Sequence, residues 1–108
     1  MSQFSHILER LAATIASRKD ADPTSSYTAK LLAGGPKAAA KKLGEEAVET
    51  ALAAVSGDKD TIAAESADLI YHWLVLLAAT GVDLDAVAAK LAAREGRSGL
   101  EEKASRPS

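Results

Sequence analysis

Two groups of carboxylates carry the chemistry this sequence offers. The first is Gly44-Glu-Glu-Ala-Val-Glu49. In a helix, at about 100° per residue, Glu45, Glu46 and Glu49 fall within roughly 100° of arc. Glu46 and Glu49 are spaced i,i+3, and Glu45 and Glu49 i,i+4, where like charges repel by a few tenths of a kcal/mol. Something must offset that repulsion. The second group is Glu65-Ser-Ala-Asp68. On a helical wheel Glu65 lies within about 40° of Leu69 and about 60° of Ile62, inside an apolar stripe, with Asp68 at its edge. A carboxylate in such a stripe is paired, protonated or bound to metal. No Lys or Arg of the same helix shares that face. His72 does, one turn beyond Asp68, and it reads as a hydrogen-bonded partner of Asp68 rather than a ligand.

Carboxylates on two helices joined by a tight turn form an all-oxygen cage, which suits Mg²⁺ or Mn²⁺ and not zinc. Carboxylate-bound Mg²⁺ characteristically bridges to substrate phosphates, orients a water and neutralises a leaving pyrophosphate. Basic residues bracket the cage. Lys37, Lys41 and Lys42 precede the glutamates, Arg94 and Arg97 end the last helix, and Lys103 and Arg106 lie in the tail. Together they suit a polyphosphate substrate, arginine through its fork of donors. The plainer alternative is a solvated face: Glu pairs in Ala-rich helices usually have no further role. Trp73, Leu76 and Leu77 read as core or dimer contact.

Several chemistries are excluded. There is no cysteine, hence no disulfide, thiol nucleophile or zinc–thiolate site. No Gly-x-x-x-x-Gly-Lys-Ser/Thr loop occurs, and no Glu-x-x-His motif of a di-iron bundle. Thirteen Lys and Arg against fifteen Asp and Glu give a net charge of −2, which argues against a nucleic-acid binder.

The elements that must position these groups are helices. The chain holds 24 Ala and 13 Leu but only 5 Val and 4 Ile, and aromatics are 4% of it. That composition favours helix and disfavours strand, so an all-α bundle of four main helices plus a short one is expected. The core should be thin, since Ala buries little, and a thin core favours a homodimer. The first helix starts at a Ser2 cap and stops before Asp20-Ala-Asp-Pro23. A short helix from about Ser26 to Ala33 is ended by Gly34-Gly35. The next runs from Lys37 to Val55, with Leu43, Ala47, Val48, Ala51, Leu52 and Val55 as its apolar stripe. After a Gly57-Asp58 turn, with Asp58 or Asp60 as cap, a helix from Lys59 to Ala79 carries Ile62, Leu69, Trp73, Leu76 and Leu77. Asp83 caps a final helix closed by Gly96. Residues 1–96 are expected to form one domain, with 97–108 a tail that is mobile without substrate. The N-terminus lacks a signal-peptide pattern, and the longest strongly apolar run, Leu74 to Ala79, is too short to span a bilayer. A cytoplasmic protein that binds no membrane is expected.

The motifs bear a resemblance. Gly44-Glu-Glu-Ala-Val-Glu49 followed by Glu65-Ser-Ala-Asp-Leu-Ile-Tyr-His72 resembles the MazG-type all-α nucleotide pyrophosphohydrolases, whose pattern is Glu-x-x-Glu and then Glu-x-x-Asp on the next helix. Ser26-Tyr-Thr-Ala-Lys-Leu-Leu32, Lys41-Lys-Leu-Gly-Glu-Glu, Asp68-Leu-Ile-Tyr-His72 and Glu102-Lys-Ala-Ser-Arg106 look more specifically like the phosphoribosyl-ATP pyrophosphohydrolase family. That resemblance implies Mg²⁺-dependent hydrolysis of phosphoribosyl-ATP to phosphoribosyl-AMP and pyrophosphate, the second step of histidine biosynthesis, by a helical dimer. It implies that Glu46, Glu49, Glu65 and Asp68 hold metal. Glu45 would be a further ligand, an outer group or a base that orients water. Lys42, Lys103 and Arg106 would contact phosphates, with Ser26 and Tyr27 near substrate. Water activation falls to Glu45 or Glu49. Two alternatives share the same residues: a house-cleaning hydrolase of dNTPs, and a non-catalytic helical dimerisation module.

Overall fold

Ser2 opens the first helix, its Oγ accepting the Ser5 N–H at 3.3 Å. The computed structural model describes residues 2–95, and among them every regular element is an α-helix. These are α1 (Gln3–Ser17), α2 (Tyr27–Ala33), α3 (Gly35–Ser56), α4 (Lys59–Thr80) and α5 (Leu84–Ala92). Between α1 and α2 the Asp22 carboxylate accepts the Thr24 N–H at 2.9 Å and the Thr24 hydroxyl at 2.8 Å. These bonds, the backbone one foremost, hold Asp22 below its ordinary range. Ser26 caps α2, accepting the Ala29 N–H at 3.2 Å.

The Gly34-Gly35 break is tighter than the sequence suggests. Gly34 alone separates α2 from α3, and a Cβ there would lie 2.7 Å from the Ala38 Cβ. Only glycine permits that approach. Gly57, at φ 81°, closes α3 in the left-handed conformation and returns its N–H to the Ala53 carbonyl at 3.2 Å. Asp58 follows as the extended N-cap residue of α4, but its carboxylate takes the Thr61 hydroxyl at 2.5 Å instead of a backbone N–H. With so short a turn, α3 and α4 form a helical hairpin, the most extensive helix pairing in the fold.

α4 is the centre. It packs on α1, α2 and α3, and its Leu74 and Val75 meet Ile15 and Ala39 in the core. Among the described residues, three of the six buried apolar ones are alanines, so the core is as thin as composition implies. By length and composition α4 could cross a membrane, a property of the whole helix that the short run Leu74–Ala79 does not reveal. It nevertheless carries Glu65, Asp68 and His72 and lies against three other helices.

α3 is oriented differently from the expectation. The apolar stripe read from the sequence includes Val48, Leu52 and Val55, which are 59%, 64% and 85% exposed and so do not face the core of the single chain. Ala39, Glu46 and Ala53 are buried instead, at heptad spacing on the opposite side of the helix. The small side chains let α4 approach closely, and the price of that approach is a carboxylate inside. α5 ends at Ala92 and not at Gly96, which lies outside the described residues, as do the expected tail 97–108 and its Arg97, Lys103 and Arg106.

Candidate metal centre

Glu46 comes from the buried face of α3 and Glu65 from the half-buried flank of α4 that faces it. One hydroxyl joins the two backbones at this level. Thr50 Oγ1 reaches the Glu46 carbonyl at 2.8 Å and the Glu65 carbonyl at 3.1 Å. Glu49, exposed on α3, completes a group: Glu46, Glu49 and Glu65 each offer a carboxylate oxygen within 4.8 Å of the others.

The electrostatics of the group are unbalanced. Glu46 is 6% exposed, and its Oε2 and the Oε2 of Glu65 are buried without a hydrogen-bond partner. Buried carboxylate oxygens in that state are costly. Lys42 supplies partial relief, its Nζ lying 3.7 Å from both Glu45 Oε1 and Glu46 Oε1. The Tyr27 phenol foremost, and then the three glutamates of α3, raise the Lys42 ammonium above its ordinary range against the effect of desolvation. Glu46, able to share a proton with Glu49 and repelling its charge, holds the Glu49 carboxyl above its ordinary range. Desolvation and Glu45 push the same way, and Lys42 opposes them. Two buried oxygens without partners, beside a third carboxylate, make an oxygen-only donor set that could hold a hard divalent cation.

The remaining sequence-derived residues divide. Asp68 lies one turn along α4 from Glu65, exposed and outside the three-carboxylate group. Glu45 is exposed and paired with Lys42. His72 is buried and bonds to Asp68, but through the backbone: Nδ1 donates to the Asp68 carbonyl at 2.8 Å, leaving Nε2 buried without a partner. Tyr27 stands edge-on to His72, ring centroids 6.4 Å apart, which brings the start of α2 to the carboxylate end of the hairpin. Ser26 is held by its capping bond and, with Ser25, Tyr27 and Lys30, lines an open pocket. Arg94 lies beyond α5, which borders a groove with Leu8 and Glu9 of α1 and Trp73 of α4, so the structure does not bring it to the carboxylates.

Two contacts escaped the sequence reading. Thr50 follows Glu46 by one helical turn on the same face, which spacing alone could have flagged. The hydroxyls of Thr28 and Tyr71, 2.6 Å apart, tie α2 to α4. They are far apart in the chain, and no local pattern announces them.

Comparison with known proteins places these residues in a family context. Residues 8–95 match the family described as phosphoribosyl-ATP pyrophosphohydrolase. The chain is 70% identical to a phosphoribosyl-ATP pyrophosphatase of Caulobacter sp. (strain K31), over the full length of both. It is 67% identical to one from Caulobacter vibrioides (strain NA1000 / CB15N), over 98% of this chain and 99% of the relative. It is 65% identical to one from Parvibaculum lavamentivorans, over 92% of this chain and 91% of the relative.

Proposed function

The chain belongs to the phosphoribosyl-ATP pyrophosphohydrolase family, and we infer that it is a hydrolase converting phosphoribosyl-ATP and water to phosphoribosyl-AMP and pyrophosphate, in histidine biosynthesis. The observation that carries the chemistry is the convergence of Glu46, Glu49 and Glu65, with two buried oxygens unpartnered. Those carboxylates would hold Mg²⁺, or Mn²⁺ in its place, and the exposed Asp68 would join them by a change of rotamer. When bound, the ion supplies charge stabilisation on the departing pyrophosphate and a template for the triphosphate.

The protein's own groups do the rest. Lys42, beside Glu45 and Glu46, offers an ammonium to the phosphate oxygens once these enter. Tyr27 and Ser26, at the start of α2, flank the substrate. Glu49 or the exposed Glu45 takes the proton of the attacking water. Water adds to the α phosphorus, the bond from that phosphorus to the α–β bridging oxygen breaks, and pyrophosphate leaves with the electron pair. Lys103 and Arg106 would add phosphate contacts. We place the enzyme in the cytoplasm and read it as a homodimer. The exposed Val48, Leu52 and Val55 of α3 support the latter, as a stripe that a second copy would cover.

The test is pyrophosphate release from phosphoribosyl-ATP with Mg²⁺, run beside the four dNTPs, ATP and a metal-free blank. Metal-dependent release from phosphoribosyl-ATP alone is expected. Release from dNTPs alone would keep the carboxylates and discard the substrate, favouring the house-cleaning reading. No release by folded protein would discard both.

A further inference from the structure

We propose that the Thr50 hydroxyl is a positioning group for the metal centre, fixing the register of α3 against α4 where Glu46 and Glu65 meet; the proposal rests on the metal reading above. Among the described residues, other helix hydroxyls that bond to backbone stay within their own helix. Thr80 Oγ1 returns to the Leu76 and Leu77 carbonyls, Ser56 to Ala53 and Ser17 to Thr14. Thr50 alone crosses, and the two carbonyls it touches belong to the two residues whose carboxylate oxygens are buried and unpartnered.

The arrangement has a geometric consequence. Each carbonyl is rigidly tied to the Cα that carries the ligand side chain. A hydroxyl between the carbonyls therefore fixes the separation and axial offset of the two side-chain origins. A slip of one residue along a helix is about 1.5 Å, whereas ligand distances at a metal are held to about 0.2 Å. The alanine-lined contact between these helices cannot supply that precision, since Ala39 and Ala53 offer smooth, shallow surfaces. The hydroxyl has one proton and two acceptors, so it tracks both carbonyls and penalises movement of either. It touches neither the carboxylates nor substrate.

The experiment compares Thr50→Val, Thr50→Ser and, as a control for an equivalent hydroxyl that does not cross, Thr80→Val. Mn²⁺ binding to each full-length protein is titrated without substrate by the loss of the free-ion paramagnetic resonance signal. Mg²⁺ half-saturation is then measured in turnover. Thr50→Val should weaken Mn²⁺ binding and raise Mg²⁺ half-saturation about 10-fold or more, as losses behind a metal ligand do. Its KM for phosphoribosyl-ATP at saturating Mg²⁺ should stay within about 2-fold of the parent's, since only ligand spacing has changed. Thr50→Ser and Thr80→Val should match the parent within about 2-fold, a change of under 1 kcal/mol. Unchanged Mn²⁺ affinity in Thr50→Val overturns the proposal. So does a loss in Thr50→Ser, which keeps the hydroxyl and drops only a methyl; that arm decides even where Thr50→Val does not fold. No Mn²⁺ binding by the parent protein overturns the metal reading itself, and the proposal with it.

Discussion

Glu46 and Glu65 meet across the α3–α4 hairpin, and each presents a buried carboxylate oxygen with no hydrogen-bond partner. A fold selected for stability alone would neutralise such a pair or replace it with apolar side chains. Keeping it means the metal-free protein carries a local cost, which a bound cation removes.

Glu46→Gln follows directly from that cost. The amide keeps the side chain's volume and removes one charge from the group. Without metal, the variant should melt higher than the parent, since the repulsion with Glu49 is gone. Turnover should fall about 100- to 1,000-fold, the scale of losing one preorganised electrostatic group. A calorimetric scan beside a pyrophosphate assay reads both. A variant that melts lower while its helical spectrum is kept would show Glu46 to be structural.

Asp68→Asn separates function from stability in another way. Asp68 is exposed, so the substitution should move stability by no more than about 0.5 kcal/mol. If Asp68 joins the metal by rotation, turnover should nonetheless fall about 100-fold or more. Parent-like kinetics at limiting Mg²⁺ would leave Asp68 out of the ligand set.

Much of this site was legible in the sequence because its information is local. The i,i+3 and i,i+4 spacings put the glutamates on one arc, and the Ile62–Leu69 stripe pointed Glu65 inward, as it is. What failed was the facing of α3. Three of its four large apolar side chains, Val48, Leu52 and Val55, point to solvent, and the core is reached instead through Ala39 and Ala53. A wheel identifies a stripe, but it does not say whether the core or a second subunit covers it. Thr50 to Glu65 and Thr28 to Tyr71 were illegible for a different reason: they depend on how helices distant in the chain are set against each other.

Tyr71→Phe tests the second of those contacts. It deletes one half-buried hydrogen bond and should cost about 0.5–1.5 kcal/mol of stability. The bond ties α2, with Ser26 and Tyr27, to α4. Its loss should therefore raise KM for phosphoribosyl-ATP more than it lowers kcat. An effect confined to kcat would contradict the placement of α2 beside substrate.

The pH dependence has a definite sign. Glu49 titrates above its ordinary range in the folded, metal-free protein, chiefly through Glu46. The folded state thus holds that proton more tightly than the unfolded chain. Its contribution to stability is fully present below the unfolded carboxylate value and is lost as pH rises through the higher folded value. Asp22, lowered by Thr24, runs the other way, its contribution present above the unfolded value and lost as pH falls through the folded one. Comparison with Glu49→Gln isolates the first. Across the carboxylate range the metal-free parent should lose stability relative to Glu49→Gln as pH rises, and saturating Mg²⁺ should abolish that relative loss. A difference that is flat with pH, with and without Mg²⁺, would mean the Glu46–Glu49 pair is solvated.

Leu52→Lys examines the stripe on α3. Leu52 is 64% exposed in the single chain, so a lysine there should leave the monomer fold within about 0.5 kcal/mol of the parent. If a second copy covers the stripe, the ammonium is forced out of water beside its own symmetry mate, and each covered Val or Leu otherwise contributes roughly 1.5–3 kcal/mol. Sedimentation should then show a dimer for the parent and a monomer for Leu52→Lys at the same concentration. Because α3 also carries Glu46 and Glu49, loss of the partner should loosen the hairpin and weaken Mg²⁺ binding as well. A parent that sediments as a monomer at assay concentrations and is fully active would remove the second subunit from the reading and leave the α3–α4 hairpin sufficient for catalysis.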